Sequence, residues 1–384
     1  MYRLFGMIVL LSMSLGGADV LAQEAGNQGI SANAKLSLLS DSNILRNSNE
    51  LEDDLVQLAP QISYSNAIGK HQFSAAYNGM YTKYSEQSPF DYENHMAAIG
   101  ILFDHTSSLA TEFNVNYENA IEQPGSTNGV LTNVTDFIQF DTGGVTAAVL
   151  YGTQESKGQI VLTFDYRTTD FKDIEQKFRN ADRASVNGRY LYRIASRTRL
   201  IFEVETENFD YTESTSANDQ SSTQNTYSTG IEWGSSAQTS SRFRLGYQTR
   251  DFKNPTFTND DGLFYSLDFT WLPKSYTQFT FGASRTVTES AIQGTAGIIR
   301  ETYSIDLQHE LSSLIVLNSL IQYAEDDISD RTDTSTTFQL GLTYSAKHWL
   351  DISLSYLLEN RESNDIFFDY DAEVVQLSFL FTFD

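Results

Sequence analysis

The fold is decided by an alternating pattern that is clearest in the stretch Leu263-Phe264-Tyr265-Ser266-Leu267-Asp268-Phe269-Thr270-Trp271. Large apolar side chains occupy every odd position, and Ser266, Asp268 and Thr270 lie between them. Successive side chains of a β-strand point to opposite faces, so this alternation is typical of a strand whose two faces meet different surroundings. The stretch therefore predicts a strand with one apolar face and one polar face.

The same alternation recurs along the chain and predicts an all-β protein. Further clear runs are 113–117, 243–247, 338–344, 350–356 and 375–383. Short turns are predicted near Gly69, Thr106, Glu155, Ser196, Ala237, Lys274, Ser312 and Ala346. Longer loops separate the hairpins, which gives about 18 antiparallel strands, with a range of roughly 16–18. Pro60 falls inside one predicted strand and cannot donate a ladder hydrogen bond, so we expect a bulge or a later strand start there.

An apolar sheet face has to be covered, and the sequence supplies no helix or second layer that could cover it. In a bilayer every backbone polar group must be paired within the protein, which a closed barrel achieves. Trp233, Trp271 and Trp349 each lie near a predicted short turn, as in the aromatic girdle of a membrane barrel. We therefore expect a transmembrane antiparallel up-and-down β-barrel with short periplasmic turns and longer extracellular loops. The loops are too short for us to expect a large constriction inside the barrel.

The N-terminus has the features of a secretory signal. Arg3 precedes an apolar run from Leu4 to Leu15, and Val20-Leu21-Ala22 forms an A-x-A-like cleavage site. We expect a signal peptide over residues 1–22, cleaved after Ala22, then a short periplasmic segment over 23–29 and the barrel over 30–384. The expected location is the outer membrane of a Gram-negative bacterium. Expected partners are outer-membrane lipid, lipopolysaccharide and the barrel assembly machinery.

Composition excludes several classes of function. The 384 residues include 50 acidic and 25 basic side chains and no Cys. A net charge of −25 argues against a nucleic-acid partner, which needs a basic surface, and a chain without Cys has no disulfides or thiolate metal sites. The sequence contains neither a G-x-S-x-G elbow nor an H-E-x-x-H motif. We therefore expect no enzyme activity, no metal site and no cofactor.

If the apolar side chains face lipid, the alternate side chains line the lumen. The predicted lumen residues are Arg189, Arg193, Glu203, Glu205, Glu232, Arg242, Arg244 and Asp268. Hairpin register places Arg189 opposite Glu203, and Glu232 opposite Arg244. Opposite charges directly across two strands stabilise a sheet by ~0.2–1 kcal/mol. Two interpretations remain open: a charge ladder that stiffens the barrel, or an arginine-bearing path for an anionic or hydroxylated solute.

The first third of the chain carries a set of residues at the spacing of a known family. They are Ser40-Asp41-Ser42-Asn43-Ile44-Leu45-Arg46, Pro60, Gly69-Lys70-His71, Phe73, Tyr77, Tyr84 and Asp91-Tyr92-Glu93-Asn94-His95. In these residues the chain resembles the outer-membrane β-barrel family associated with exopolysaccharide biosynthesis clusters, of the “putative β-barrel porin 2” type. Asp41, Asn43, Arg46 and His95 are taken as its motif residues. The resemblance implies a role in polysaccharide secretion, and it carries over no catalytic or binding residue.

Three functional hypotheses follow. The resemblance favours a channel or accessory protein for export of an extracellular or capsular polysaccharide, with the polymer and periplasmic export components as further partners. The first alternative is a general diffusion porin for small solutes. The second is a structural or adhesive barrel that acts through its acidic loops, although acidic loops are more often only a solvated face.

Overall fold

A computed structural model of the protein describes residues 28–383, except for 127–135, 154, 216–218, 235–237, 291–296 and 330. The expected signal peptide over 1–22 lies outside the described residues, as do residues 23–27 of the expected segment over 23–29. The described chain forms a single sheet of 18 antiparallel strands in which each strand pairs with its neighbours in the chain. The first strand also pairs with the last, which closes the sheet into a barrel. The predicted fold class and strand number are therefore confirmed.

The strands are β1 (Gly29–Asp41), β2 (Asp53–Ile68), β3 (His71–Tyr84), β4 (Tyr92–Thr106), β5 (Leu109–Ile121), β6 (Gln139–Tyr151), β7 (Gly158–Phe171), β8 (Ala181–Ala195), β9 (Thr198–Tyr211), β10 (Ser222–Trp233), β11 (Thr239–Phe252), β12 (Asp260–Lys274), β13 (Thr277–Glu289), β14 (Gly297–Ser312), β15 (Ile315–Ile328), β16 (Arg331–Lys347), β17 (Leu350–Ser363) and β18 (Tyr370–Phe383). Three short 3-10 helices lie in the loops, at Ser88–Phe90, Ile174–Arg179 and Ile366–Phe368. None of the helices in the described residues is long and apolar enough to cross a bilayer.

The connections at the two ends of the barrel differ in length, as the sequence pattern predicts. Seven of the eight predicted short turns fall in or beside a strand connection at the periplasmic end, and the turn predicted near Ala237 lies outside the described residues. The extracellular loops are longer, with one exception. The connection between β15 and β16 is tight instead of long, because these strands stay paired up to Ile328 and Arg331.

The two faces of the sheet meet different surroundings. The outer face presents exposed apolar side chains, including Ile99, Phe113, Val115, Leu162, Phe202, Leu245, Leu263, Leu342 and Leu354. In a lipid bilayer these side chains contact acyl chains rather than water. The alternate, inward side chains are mostly Ser, Thr, Asn, Gln, Asp, Glu and Arg, and they form the wall of the lumen.

Pro60 lies within β2 without either of the expected distortions. It is opposite Ala34 of β1, and the strand runs from Asp53 through Pro60 to Ile68. On the other side, pairing with β3 stops after Leu58 and resumes at Gln61 in the same register. The expectation of a bulge or a later start is therefore wrong. The missing N–H is accommodated by a local gap in the hydrogen-bond ladder between β2 and β3.

Candidate functional site

The middle of the lumen wall is organised around Glu203 of β9. Arg189 lies directly opposite on β8, as predicted, and its Nε donates to Glu203 Oε2 at 2.9 Å. Arg244 Nη1 reaches Glu203 Oε1 at 3.3 Å from two strands away, and Asn187 Nδ2 donates to the same oxygen at 2.7 Å. Three donors from β8 and β11 thus converge on one carboxylate.

A second ion network lies nearer the periplasmic end. Arg199 Nε donates to Glu232 Oε1 at 2.6 Å, and Arg242 Nε lies 3.4 Å from Glu232 Oε2. The residue opposite Glu232 is Arg242, whereas Arg244 lies opposite Gly230. The predicted Glu232–Arg244 pair is therefore wrong by two residues. A shift of two keeps every side chain on its own face, so the alternation alone cannot detect it.

The other predicted lumen residues also lie on the inner face. Arg193 is opposite Arg199 near the periplasmic end, and Glu205 is opposite Asn187. Asp268 lies opposite Arg242 and is exposed. In the described residues, no group of three or more His, Asp or Glu side chains is arranged to hold a metal ion.

In the ion pairs of the inner wall, the arginine is more exposed than its carboxylate. Side-chain exposures are 30% for Arg189 against 4% for Glu203, and 50% for Arg242 against 14% for Glu232. Two further pairs follow the same order, with 27% for Arg183 against 8% for Glu207 and 40% for Arg300 against 4% for Asp326. The carboxylates lie against the wall and the guanidinium groups face the lumen.

The extracellular half of the lumen is narrowed by the β13–β14 hairpin. Pairing of β12 with β13 ends at Tyr265 and Arg285, whereas β13 and β14 stay paired up to Glu289 and Gly297. Val287 and Ile298 of this hairpin are 5% and 1% exposed. The hairpin thus leaves the wall and lies inside the barrel, which contradicts the expectation that no loop forms a large constriction.

Two of the backbone groups released by this departure are satisfied by side chains. Continued register would pair Val287 with Leu263. Instead, Val287 N–H donates to Gln248 Oε1 of β11 at 2.9 Å, and the Leu263 carbonyl accepts from Arg285 Nη1 at 2.5 Å. Backbone groups left unpaired away from water are costly, so these two bonds compensate for the lost pairing, and the bond to Gln248 holds the hairpin in its inward position.

A family profile described as “Putative beta-barrel porin 2” matches residues 21–383, nearly the whole chain. The chain belongs to this porin family. No match is found among curated proteins. The family description supports an outer-membrane location and shows no link to exopolysaccharide clusters.

Solved structures similar to this porin are themselves outer-membrane barrels. Outer membrane protein OpdK from Pseudomonas aeruginosa matches with a TM-score of 0.51 at 10% identity, covering 92% of this chain and 99% of that chain. OccK2 (OpdF) from the same organism gives 0.53 at 8% identity, with coverage of 92% and 99%. A BenF-like porin from Pseudomonas fluorescens Pf-5 gives 0.52 at 8% identity, again with 92% and 99%. At these identities the similarity shows the fold.

Three of the four motif residues of this porin lie together at the extracellular mouth. Asn43 Nδ2 donates to the Asn47 carbonyl at 2.7 Å and to the Asp371 carbonyl of β18 at 3.0 Å. Arg46 Nη1 donates to Asp41 Oδ1 at 2.8 Å, and Arg46 Nε donates to Glu359 of β17 at 2.6 Å. Burial alone would lower the pKa of Arg46, but Glu359 and Asp41 outweigh it and raise the pKa. These contacts fasten the β1–β2 loop across the seam where β1 meets β18.

The same loop is packed against its neighbours by an apolar cluster. Ile44 and Leu45 are buried beside Leu55, Phe90, Ile121 and Phe137. A further contact joins β17 to the β5–β6 loop. Arg361 Nη1 of β17 donates to the Gly125 carbonyl of this loop at 3.2 Å. This bond joins the β5–β6 loop to a strand that is not its neighbour in the barrel.

His95, the fourth motif residue, is not part of this group. It lies on the outer face of β4, where its Nδ1 is 2.9 Å from the Tyr77 hydroxyl of β3. The three tryptophans lie near the periplasmic turns as predicted. Trp271 stacks on Phe279 at 5.5 Å and Trp349 on Phe381 at 6.3 Å between ring centroids.

Several inward residues were not identified from the sequence, and three of them matter for the site. Arg183, Arg300 and Glu289 belong to the constricted half of the lumen. The alternation gives a signal for Arg183 and Arg300, since each is two positions from another inward side chain on its strand. Glu289 has no such signal, because its place depends on the bend of the hairpin.

Proposed function

We propose that this protein is an outer-membrane diffusion channel for small anionic or hydroxylated solutes, and that it is not an enzyme. The observation that carries the proposal is the orientation of the ion pairs, in which the guanidinium is the exposed partner. A lumen lined by exposed arginines attracts anions and raises their local concentration. Guanidinium groups also donate two parallel hydrogen bonds to a carboxylate.

The shape of the lumen supports small solutes over a polymer. Inward side chains of the extracellular half are buried on several sides of the barrel, among them Thr82, Thr142, Gln248, Asp326 and Val374. A polysaccharide chain needs a continuous wide passage, which this packing and the inward hairpin oppose. The general porin alternative is therefore favoured over polysaccharide export, and no observation favours an adhesive barrel.

Small carboxylates are the first solutes to test. OpdK was solved with vanillate and OccK2 with glucuronate. These ligands belong to those proteins, and we infer the same chemical class here from the arginines of the lumen. Lipopolysaccharide and the barrel assembly machinery remain proposed partners, and cleavage after Ala22 remains a proposal.

The channel function can be tested by swelling of liposomes that contain the purified protein. Glucuronate should enter faster than glucose, because the two have similar size and differ in charge. Liposomes that swell in neither solute would contradict the proposal. Deletion of the gene should leave surface polysaccharide unchanged, whereas loss of surface polymer with periplasmic accumulation would favour export instead.

A further inference from the structure

The β13–β14 hairpin brings a carboxylate into the narrow half of the lumen. The Glu289 carboxylate interacts electrostatically with Arg250 and Arg183, and with the like-charged Glu207. Arg250 belongs to β11 and Arg183 to β8, so both are contributed by the inner wall. Because Val287 is bonded to Gln248 of the same wall, the hairpin is held where Glu289 can reach these arginines.

Arg250 has the environment of an anion-binding residue. It is 1% exposed, its Nε donates to Ser222 Oγ at 3.0 Å, and its guanidinium lies over the rings of Phe209 and Phe252 at 4.5 and 5.2 Å. Within the described residues, Nη1 and Nη2 have no acceptor at normal hydrogen-bond geometry, and the Tyr211 hydroxyl is the nearby polar group that interacts with the guanidinium. Two adjacent donors on a planar guanidinium match the two oxygens of a carboxylate.

Arg183 completes the site from the other side of Phe209. Its guanidinium lies 5.5 Å from the same ring, and its Nε donates to Glu207 Oε1 at 2.8 Å. Gln224 Nε2 donates to the other oxygen of Glu207 at 3.1 Å. The wall therefore supplies Arg183 with its own carboxylate, whereas the negative charge that faces Arg250 comes from the hairpin.

We propose that Arg250, with Arg183 and the rings of Phe209 and Phe252, forms a carboxylate subsite in which Glu289 stands in for the carboxylate of a permeating solute. This inference rests on the proposed channel function and identifies the part of the lumen that would select among solutes. A buried charge without a partner is strongly unfavourable, so Arg250 should attract a carboxylate, either from the hairpin or from the solute.

Glu289 is tethered near Arg250 by the β13–β14 hairpin. This tether sets the concentration at which a solute carboxylate can compete with Glu289 for the site. A group on a short linker has an effective concentration in the millimolar range at its site. A monovalent carboxylate should therefore displace Glu289 at about millimolar concentration. Removal of the Glu289 charge removes the competitor, and the same solute should then bind at lower concentration.

The test uses the full-length protein in planar lipid bilayers, with Glu289→Gln compared with the wild type. The variant should raise the anion-to-cation permeability ratio by about twofold or more, because one negative charge leaves a narrow, weakly screened part of the lumen. Glucuronate should reduce chloride current at a lower concentration than in the wild type. Asp210→Asn is the matched control, since Asp210 carries the same charge on the outer face and pairs with Lys253.

The outcomes separate this inference from the channel proposal. A wild type that conducts small anions, with Glu289→Gln unchanged in selectivity and glucuronate sensitivity, would overturn the subsite and leave the channel intact. An equal change in Asp210→Asn would also overturn it. A wild type without conductance would instead defeat the channel proposal.

A second variant keeps the test decisive if Glu289→Gln does not fold. Gln248→Ala removes the bond that holds the hairpin and should increase single-channel conductance. Gln61→Ala is its control, because Gln61 is an inward, exposed glutamine of β2, on the far side of the barrel. Glucuronate should also reduce chloride current at a lower concentration in Gln248→Ala, because Glu289 is no longer held near Arg250. Equal conductance and equal glucuronate sensitivity in Gln248→Ala and the wild type would contradict the inference.

Discussion

Glu203 shows how one residue can determine the charge of the lumen wall. Its carboxylate accepts from Arg189, Arg244 and Asn187, and it is 4% exposed. The buried Glu203 carboxylate holds the Arg189 and Arg244 guanidinium groups in position. Both earlier interpretations of the ladder are compatible with this arrangement, since a pair that stabilises the wall also presents a guanidinium to the lumen.

Replacement of Glu203 by Ala should lower the free energy of unfolding by about 3 kcal/mol, because two arginines lose a buried partner. Urea unfolding in lipid vesicles, followed by tryptophan fluorescence, measures this change. Glu205→Ala is the control. Glu205 lies on the same face of β9 between Glu203 and Glu207, so its removal relieves like-charge repulsion and should change stability little. Equal losses in the two variants would show that Glu203 has no special role.

At the scale of strands, the features that depend on local sequence were predicted, and those that depend on the pairing between strands were not. Turn positions and strand faces follow from local alternation and were predicted. The register of Glu232 with Arg242 was not, because shifts of two residues preserve the pattern. The bend of β13 at Arg285 was also missed, since it depends on Gln248 of a strand that is not its neighbour in the chain.

The β10–β11 hairpin contains a close backbone approach that tolerates only glycine. A Cβ added at Gly246 would lie 2.0 Å from the Tyr227 carbonyl oxygen, and one at Gly230 would lie 2.1 Å from the Phe243 carbonyl oxygen. Gly246→Ala should therefore destabilise the barrel by about 1–3 kcal/mol, because the backbone must move. The folded fraction, measured by the heat-dependent shift on detergent gels, should fall.

Gly188→Ala is the matched control for this strand prediction. A Cβ there would lie 3.5 Å from Leu162 Cδ2, which is an ordinary contact. The control should fold like the wild type. Equal folding of Gly246→Ala and Gly188→Ala would contradict the proposed close approach.

For the whole molecule, the decisive property is the difference between the two halves of the lumen. The periplasmic half presents exposed polar groups such as Arg242 and Asp268, whereas the extracellular half is narrowed by the hairpin and by buried inward side chains. Solutes from outside therefore meet the narrow, arginine-bearing region first. Selectivity is expected there, and passage beyond it should be less restricted.

Arg242→Glu should lower the anion-to-cation permeability ratio by about twofold at low salt, because the change reverses the charge of an exposed lumen residue. The effect should weaken in about 1 M salt, where screening acts over about 3 Å. Reversal potentials in a KCl gradient measure both results. Lys70→Glu makes the same charge change in a periplasmic turn and should leave selectivity unaltered. A shift of equal size in Lys70→Glu would remove Arg242 from the permeation path.

The sequence by itself determined the class of fold, the number of strands, the short turns and the residues on each face, because these follow from a period of two and from local turn chemistry. Only the tertiary structure decided how β1 meets β18, how Arg46 reaches Glu359, and how the β13–β14 hairpin enters the lumen. These features join residues far apart in the chain. Their positions depend on barrel closure and on side chains of other strands, which local alternation does not encode.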